Sequence, residues 1–283
     1  MEALEELTLE VPEGSVFALV GPNGAGKTTA IKTLMNIIRP TSGSARVLGT
    51  DSQKLGPKQL AQIGYVSENQ QLPEWMKVGY FLRYCKPFYP TWDDELAASL
   101  VRLFELPLER KLRALSRGMR IKAALASSLA YRPRLIVLDE PFSGLDALVR
   151  DQLIESVLDR ASEATVFIAS HDLAEIESFA SHVGYIDQGR LRFTEEMSAL
   201  SARFREIEVT LEAPVQVPAD WPVYWLNPEQ AGVVVRFTES RYERERTEAE
   251  IRKLFAGTRN IEARSMPLRA IFVALAKSSK QKD

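Results

Sequence analysis

VFALVGPNGAGKTTAIKTLMNII, residues 16 to 38, decides how the rest of the chain is read. VFALV, 16 to 20, is a continuous apolar run, the pattern of a strand covered on both faces. AIKTLMNII, 30 to 38, has helical spacing. Between them lies GPNGAGKTT: Gly21, Pro22, Asn23, Gly24, Ala25, Gly26, Lys27, Thr28 and Thr29. It fits G-x-x-x-x-G-K-[ST], with Gly21, Gly26, Lys27 and Thr28 in the fixed places. Glycines let the backbone wind around a phosphate and turn its N–H groups inward. The start of the helix adds roughly half a positive charge. Lys27 brings a point charge to the β and γ phosphates, and the Thr28 hydroxyl can hold Mg²⁺.

A second stretch answers the first. LIVLDEP, 135 to 141, runs four apolar residues into Asp139 and Glu140. Two adjacent carboxylates repel, and desolvating them is costly. With Mg²⁺ and a triphosphate at the glycine loop, the pair has a purpose. Asp139, at the carboxyl end of its strand, faces the metal directly or through water, and ligands of such sheets bind at that edge. Glu140 can point past the γ-phosphate and polarise the attacking water. Apart from the glycine loop, the pair reads equally well as a helix start.

The wider composition is that of a soluble globular protein. The 283 residues allow one large domain, or one of ordinary size plus a small one. Net charge is −2, so no global field draws in nucleic acid, and no nucleic-acid partner is expected. A single cysteine, Cys85, excludes an internal disulfide. No apolar run reaches the roughly 18 to 20 residues of a membrane span. The start, MEALEELTLEV, lacks the basic head and apolar centre of a signal peptide. The expected location is the cytoplasm, and any membrane role would have to come through a partner.

Along the chain, Leu7, Leu9 and Val11 alternate with polar residues and read as a half-buried strand. ARVLG (45–49) and IGYV (63–66) read as short strands. Residues 69 to 131 hold helical patterns, 93–106 and 119–131 among them, and suggest a helical insert. LIVLD and TVFIAS (165–170) are strands, each followed by a helix, and VGYIDQGRLRF (183–193) is a hairpin turning at Gln188-Gly189. Strands alternating with helices imply an α/β fold with a mainly parallel sheet. From 201 the texture changes. Prolines stand at 214, 218, 222 and 228, candidate strands at 205–212 and 232–239, and helices in TEAEIRKLFAG and PLRAIFVALAK. The expected division is an α/β domain over 1–200, with its insert at about 69–131, and a small α+β domain over 201–283.

Taken together, these motifs resemble the ATPase subunit of ABC transporters. GPNGAGKTT is similar to the family's Walker A loop and LIVLDEP to its Walker B strand with a catalytic glutamate, here Glu140. SGLD (143–146) is similar to its D-loop, which implies Asp146 at a dimer interface. SHD at 170–172 is similar to its switch segment, which implies that His171 senses the γ-phosphate. LSRGM (115–119), with Ser116, Arg117, Gly118 and Met119, resembles the signature LSGGQ. The likeness runs over about 3 to 200 in the family's order and implies a P-loop NTPase core. In the family the signature meets the γ-phosphate of the other subunit. One chain carries one phosphate loop and one signature, so two sites imply two chains, identical or homologous, head to tail.

The departures are informative. The family places glutamine, in GYxPQ, where GYVSEN puts Glu68. That glutamine reaches Mg²⁺, so Glu68 is expected to take the metal, and Glu68→Gln to alter Mg²⁺ dependence. Arg117 and Met119 replace glycine and glutamine of the signature. The family also has another strand before Leu7, then an aromatic that stacks on adenine. Either Met1 lies downstream of the true start, or adenine is held otherwise. The resemblance implies an ATP-hydrolysing subunit, with Mg²⁺, that powers a separate multispanning permease. It also implies a peripheral place on the inner face of the cell membrane through that partner. The insert near 69–95, with Trp75, Met76, Tyr80, Phe81, Phe88, Tyr89 and Trp92, could receive that partner, or these residues could be the insert's own core. Exporter ATPases often carry C-terminal extensions like residues 201–283, which implies export. The alternative is a soluble ATPase of the same type acting on ribosomes or DNA.

Overall fold

The computed structural model describes residues 3–215 and 222–280. The chain divides into two compact units: Met1–Asp172 with Phe179–Thr194, and Leu173–Ser178 with Glu195–Asp283.

The first unit is built on β1 (Val16–Val20), every residue of which is buried, as its unbroken apolar run requires. Helix α1 (Lys27–Leu34) follows the glycine loop and ends before Asn36, whose φ of 57° leaves the helical region. A small hairpin, β2 (Arg46–Val47) and β3 (Thr50–Asp51), and a single turn, α2 (Pro57–Leu60), lead to β4 (Ile63–Ser67). The helical insert follows as α3 (Val78–Cys85), α4 (Asp94–Leu103) and α5 (Arg117–Leu129). Then come β5 (Leu135–Asp139), α6 (Ala147–Ala161), β6 (Thr165–Ser170), β7 (His182–Asp187) and β8 (Arg190–Glu196).

The sheet runs β4-β5-β6-β1-β7-β8. The pairs β4/β5, β5/β6, β6/β1 and β1/β7 are all parallel. Register aligns their carboxyl ends: Ser67 lies beside Asp139, Asp139 beside Ala169, and Val20 beside Ser170. Four segments of chemistry therefore leave the sheet along one edge. The sheet is anchored by Phe17 and Phe167, whose rings lie 5.9 Å apart. The insert is fixed to it by the Tyr131 hydroxyl, which donates to the Ile63 carbonyl at 2.7 Å.

The half-buried strand expected at Leu7–Val11 does not form. Leu4, Leu7, Leu9 and Val11 nevertheless pack against the core around Phe17 and Ile31. Alternation determines which side chains turn inward, but a strand also needs a backbone to pair with, and this segment joins no ladder.

In the second unit, α7 (Leu173–Glu177), α8 (Met197–Arg203) and α10 (Leu268–Lys280) accompany an antiparallel sheet of order β10-β11-β9-β12. Its strands are β9 (Arg205–Leu211), β10 (Trp225–Ala231), β11 (Val234–Glu239) and β12 (Thr258–Ser265), with α9 (Arg244–Leu254) packed on it. Ile207, Val209, Phe237, Ile251 and Phe255 form its core. The unit's main segment starts at 195 rather than 201, and it takes in α7 as well. The reason is local: Ile176 of α7 is fully buried, and the Glu177 carboxylate accepts from the Leu268 N–H at 2.9 Å. Of the prolines that marked this region, Pro218 lies outside the described residues.

Candidate functional site

The glycine loop is shaped by what surrounds it. Gly26 caps α1 at φ 107°, where a side chain is strained, and a Cβ there would stand 2.7 Å from the Ala3 carbonyl oxygen. Gly21 has an ordinary backbone but no room: a Cβ would lie 2.1 Å from the Ile186 carbonyl oxygen on β7. The loop therefore needs glycine at one place for conformation and at the other for close approach.

Lys27, the first residue of α1, is buried, with 5% of its side chain exposed. Its ammonium donates to the Gly21 and Pro22 carbonyls at 2.7 and 3.1 Å and lies 3.2 Å from Glu140 Oε1. Next along the same helix, Thr28 Oγ1 donates to Asp139 Oδ1 at 2.9 Å. Asp139 closes β5 and is almost fully buried. Burial raises its carboxyl above the ordinary value. The Thr28 hydrogen bond pulls it back down, and the neighbouring Glu140 charge pushes it up again.

Glu140 follows at φ 51°, in the left-handed region that few non-glycine residues occupy. Its N–H donates to the Ala169 carbonyl at 2.9 Å. The carboxylate is held from both sides. Oε1 faces Lys27, and Oε2 accepts from His171 Nδ1 at 2.7 Å and from the His171 N–H at 3.3 Å. Since a carboxylate only accepts, Nδ1 carries the proton in this pairing. Strands β1, β5 and β6 thus bring Lys27, Thr28, Asp139, Glu140 and His171 together from three distant parts of the chain.

A cavity of about 230 Å³ opens beside them, lined in part by Thr28, Lys32, Glu68, Asp139 and Glu140. Lys32 belongs to no motif in the sequence. It lies one helical turn beyond Thr28, and its charge lowers the Asp139 pKa. That i, i+4 spacing is the signal that could have found it.

The site suits a hydrated Mg²⁺. A buried carboxylate raised by desolvation gains from a nearby cation, and Thr28 adds a hydroxyl oxygen. Among the described residues no group of three or more His, Cys, Asp or Glu side chains is arranged to hold a metal. The protein therefore offers only part of a coordination shell. Mg²⁺ commonly binds through one or two carboxylates, waters and substrate phosphates, so the match is good.

Glu68 is placed at the rim of this cavity. Its N–H donates to the Asp139 carbonyl at 2.9 Å. Its carboxylate is engaged by Arg117, and Oε1 accepts from Ser143 Oγ at 3.2 Å. Ser116 caps α5, accepting from the Met119 N–H at 3.3 Å, and Gly118 lies within that first turn. Asp146 caps α6 in the same manner, accepting from the Val149 N–H at 3.0 Å. Both capping residues are exposed, and neither lines the cavity.

The aromatic stretch separates into two classes. Met76 and Phe81 are core residues, and Tyr89 stacks on Tyr131 at 3.7 Å. Trp75, Tyr80 and Phe88 face solvent, with Trp75 65% and Phe88 62% exposed. No helix among the described residues is long and apolar enough to cross a membrane.

Residues 4–143 match the family described as ABC transporter. An uncharacterized ABC transporter ATP-binding protein of Nostoc sp. is 37% identical over 198 residues, 67% of this chain and 58% of that protein. The chain thus spans little more than half of that relative's length. Among solved structures, the ATP binding subunit of an ABC transporter superimposes with a TM-score of 0.66 at 27% identity, over 71% of this chain and 86% of that one. A bacterial Atm1-family ABC exporter with ATP bound gives a TM-score of 0.63 at 26% identity, over 72% of this chain and 37% of that one.

Proposed function

The chain belongs to the ABC transporter family of ATP-binding proteins, and from that membership we propose that it is an ATPase subunit working as a head-to-tail pair to power export through a separate multispanning membrane protein. The observation that carries the reading is the Glu140 carboxylate, held between Lys27 at 3.2 Å and His171 at 2.7 Å, next to the Thr28–Asp139 pair.

Each residue then has a task. Backbone N–H groups of the loop between Gly21 and Thr29, where Pro22 has none, are available to wrap the phosphates. Lys27, now resting on loop carbonyls and Glu140, turns to the β and γ phosphates. Thr28 and Asp139 would hold Mg²⁺, which supplies charge neutralisation across those phosphates. Release of Lys27 frees Glu140 to accept the proton of the attacking water, while His171 keeps the carboxylate aimed. The γ-phosphate is completed by a second copy, whose Ser116 hydroxyl and Gly118 N–H stand at a positive helix end. Exposed Asp146 belongs to that same interface.

Export through a membrane partner rests on three points: the small α+β unit, the likeness to an exporter, and the solvent-facing Trp75, Tyr80 and Phe88 of the insert, which offer a docking surface. Purification of the tagged chain from a detergent extract tests it. Stoichiometric recovery of a multispanning membrane protein, with Mg²⁺-dependent phosphate release, supports the reading. Ribosomal RNA in place of the membrane protein supports the soluble alternative.

A further inference from the structure

Two departures from the family's pattern meet in space. Glu68 stands for a glutamine and Arg117 for a glycine, and they lie 49 positions apart in sequence. Their side chains form an ion pair. The contact is reinforced on both sides. Ser143 Oγ donates to the same Glu68 oxygen at 3.2 Å. The Arg117 guanidinium lies over Gly144, so closely that a Cβ there would be 3.1 Å from Nη1. Gly144 has φ 68°. The loop after β4, the start of α5 and the 143–146 turn are therefore joined at one carboxylate.

The position of Glu68 gives this junction a consequence. It lines the small cavity that holds Thr28 and Asp139, and also the larger neighbouring cavity of about 720 Å³. Arg117 lines only the larger. The ion pair thus draws the Glu68 carboxylate toward α5. A third carboxylate free to enter the small cavity would stand beside Asp139, already raised by burial, and Glu140.

We propose that Arg117 is a positioning residue for Glu68: it holds the carboxylate on the α5 side of the cavity, off the metal, and thereby sets how much Mg²⁺ the nucleotide site requires. The inference rests on the ATP reading above. It also revises the expectation that Glu68 itself takes the metal.

The test is a Mg²⁺ titration of binding, so no turnover is needed. A fluorescent ATP analogue is bound to the full chain carrying Glu140→Gln, and the Mg²⁺ midpoint is read for each further variant. Arg117→Ala frees Glu68 to enter the cavity, and the midpoint falls about two- to fivefold, the reach of an ion pair whose cation is half exposed. Glu68→Gln alone moves it by less than about twofold. Adding Arg117→Ala to Glu68→Gln moves it no further. Arg117→Lys keeps the charge but loses the fork, and gives an intermediate midpoint. An unchanged midpoint in Arg117→Ala overturns the proposal. So does an equal shift when Glu68 is already glutamine, which would assign the effect to charge alone. Where Arg117→Ala unfolds, by thermal melting, the Arg117→Lys shift and its loss in the Glu68→Gln background carry the same decision. If the parent protein binds no nucleotide at any Mg²⁺ concentration, the ATP reading falls, and that outcome is recognised before any variant at 68 or 117 is made.

Discussion

Replacing Glu140 by glutamine separates binding from chemistry in this site. Glutamine keeps the shape of the side chain and the φ of 51°, but its amide has one oxygen where the carboxylate has two. It can accept from Lys27 or from His171, and not from both through oxygen. The proton of the attacking water then has no base within reach. A positioned general base contributes about 10² to 10⁴ in rate. At about 1.36 kcal/mol per decade, that is about 3 to 5 kcal/mol of the barrier. Ground-state binding should change little, because losing a hydrogen bond is offset by removing one negative charge beside the triphosphate. Phosphate release by the purified chain is expected to fall about 10²- to 10⁴-fold. Binding of the fluorescent ATP analogue should stay intact, and light scattering with Mg·ATP should reveal an accumulating dimer, since hydrolysis no longer dissolves it. Turnover within about fivefold of the parent would remove Glu140 from the role of base. An intact, ATP-saturated variant that stays monomeric would refute the head-to-tail sandwich.

Three further outcomes follow from the same geometry. Lys27→Ala removes the ammonium that turns from the loop carbonyls and Glu140 to the phosphates, and should weaken nucleotide binding about 10- to 100-fold, the value of a charge-assisted hydrogen bond or two, read by equilibrium fluorescence. Gly21→Ala drives a Cβ to 2.1 Å from the Ile186 carbonyl oxygen, and should cost about 1 to 3 kcal/mol in urea unfolding along with nucleotide binding. Asp139→Asn should stabilise the nucleotide-free chain while abolishing hydrolysis. An acid whose folded pKa is raised by burial holds its proton more tightly when folded, so its contribution is present at low pH and lost as pH rises through the folded pKa. The stability gap between Asp139→Asn and the parent should therefore widen with rising pH, measured by urea unfolding across pH. A gap that narrows would contradict the raised pKa.

Much of the site was legible in the residues because its parts are short and contiguous. A phosphate loop is a strand end, a glycine run and a helix start, all within fourteen positions, and local chemistry fixes each of them. The Asp139-Glu140 pair and His171 were likewise readable as strand ends, since a parallel sheet sends its carboxyl ends to one edge. Other elements were not legible. Strands β10 and β12 carry no clear signal because both are edge strands with mixed, largely polar sequences. Pro228 sits in β10 where the register shifts, as an edge permits. The alternation at Leu7–Val11 was real as burial and misleading as a strand.

What the sequence determined by itself, then, was the chemistry of single segments: which backbone could wrap a phosphate, which carboxylates could serve a metal and a water. What only the tertiary structure decided was which of those groups restrain one another. Lys27 against Glu140, Glu140 against His171 and Arg117 against Glu68 are pairings between residues 31 to 113 positions apart. Side-chain type gives the possibility of such a pairing, but its existence depends on strand order and register, and these are properties of the packed sheet rather than of any stretch of chain.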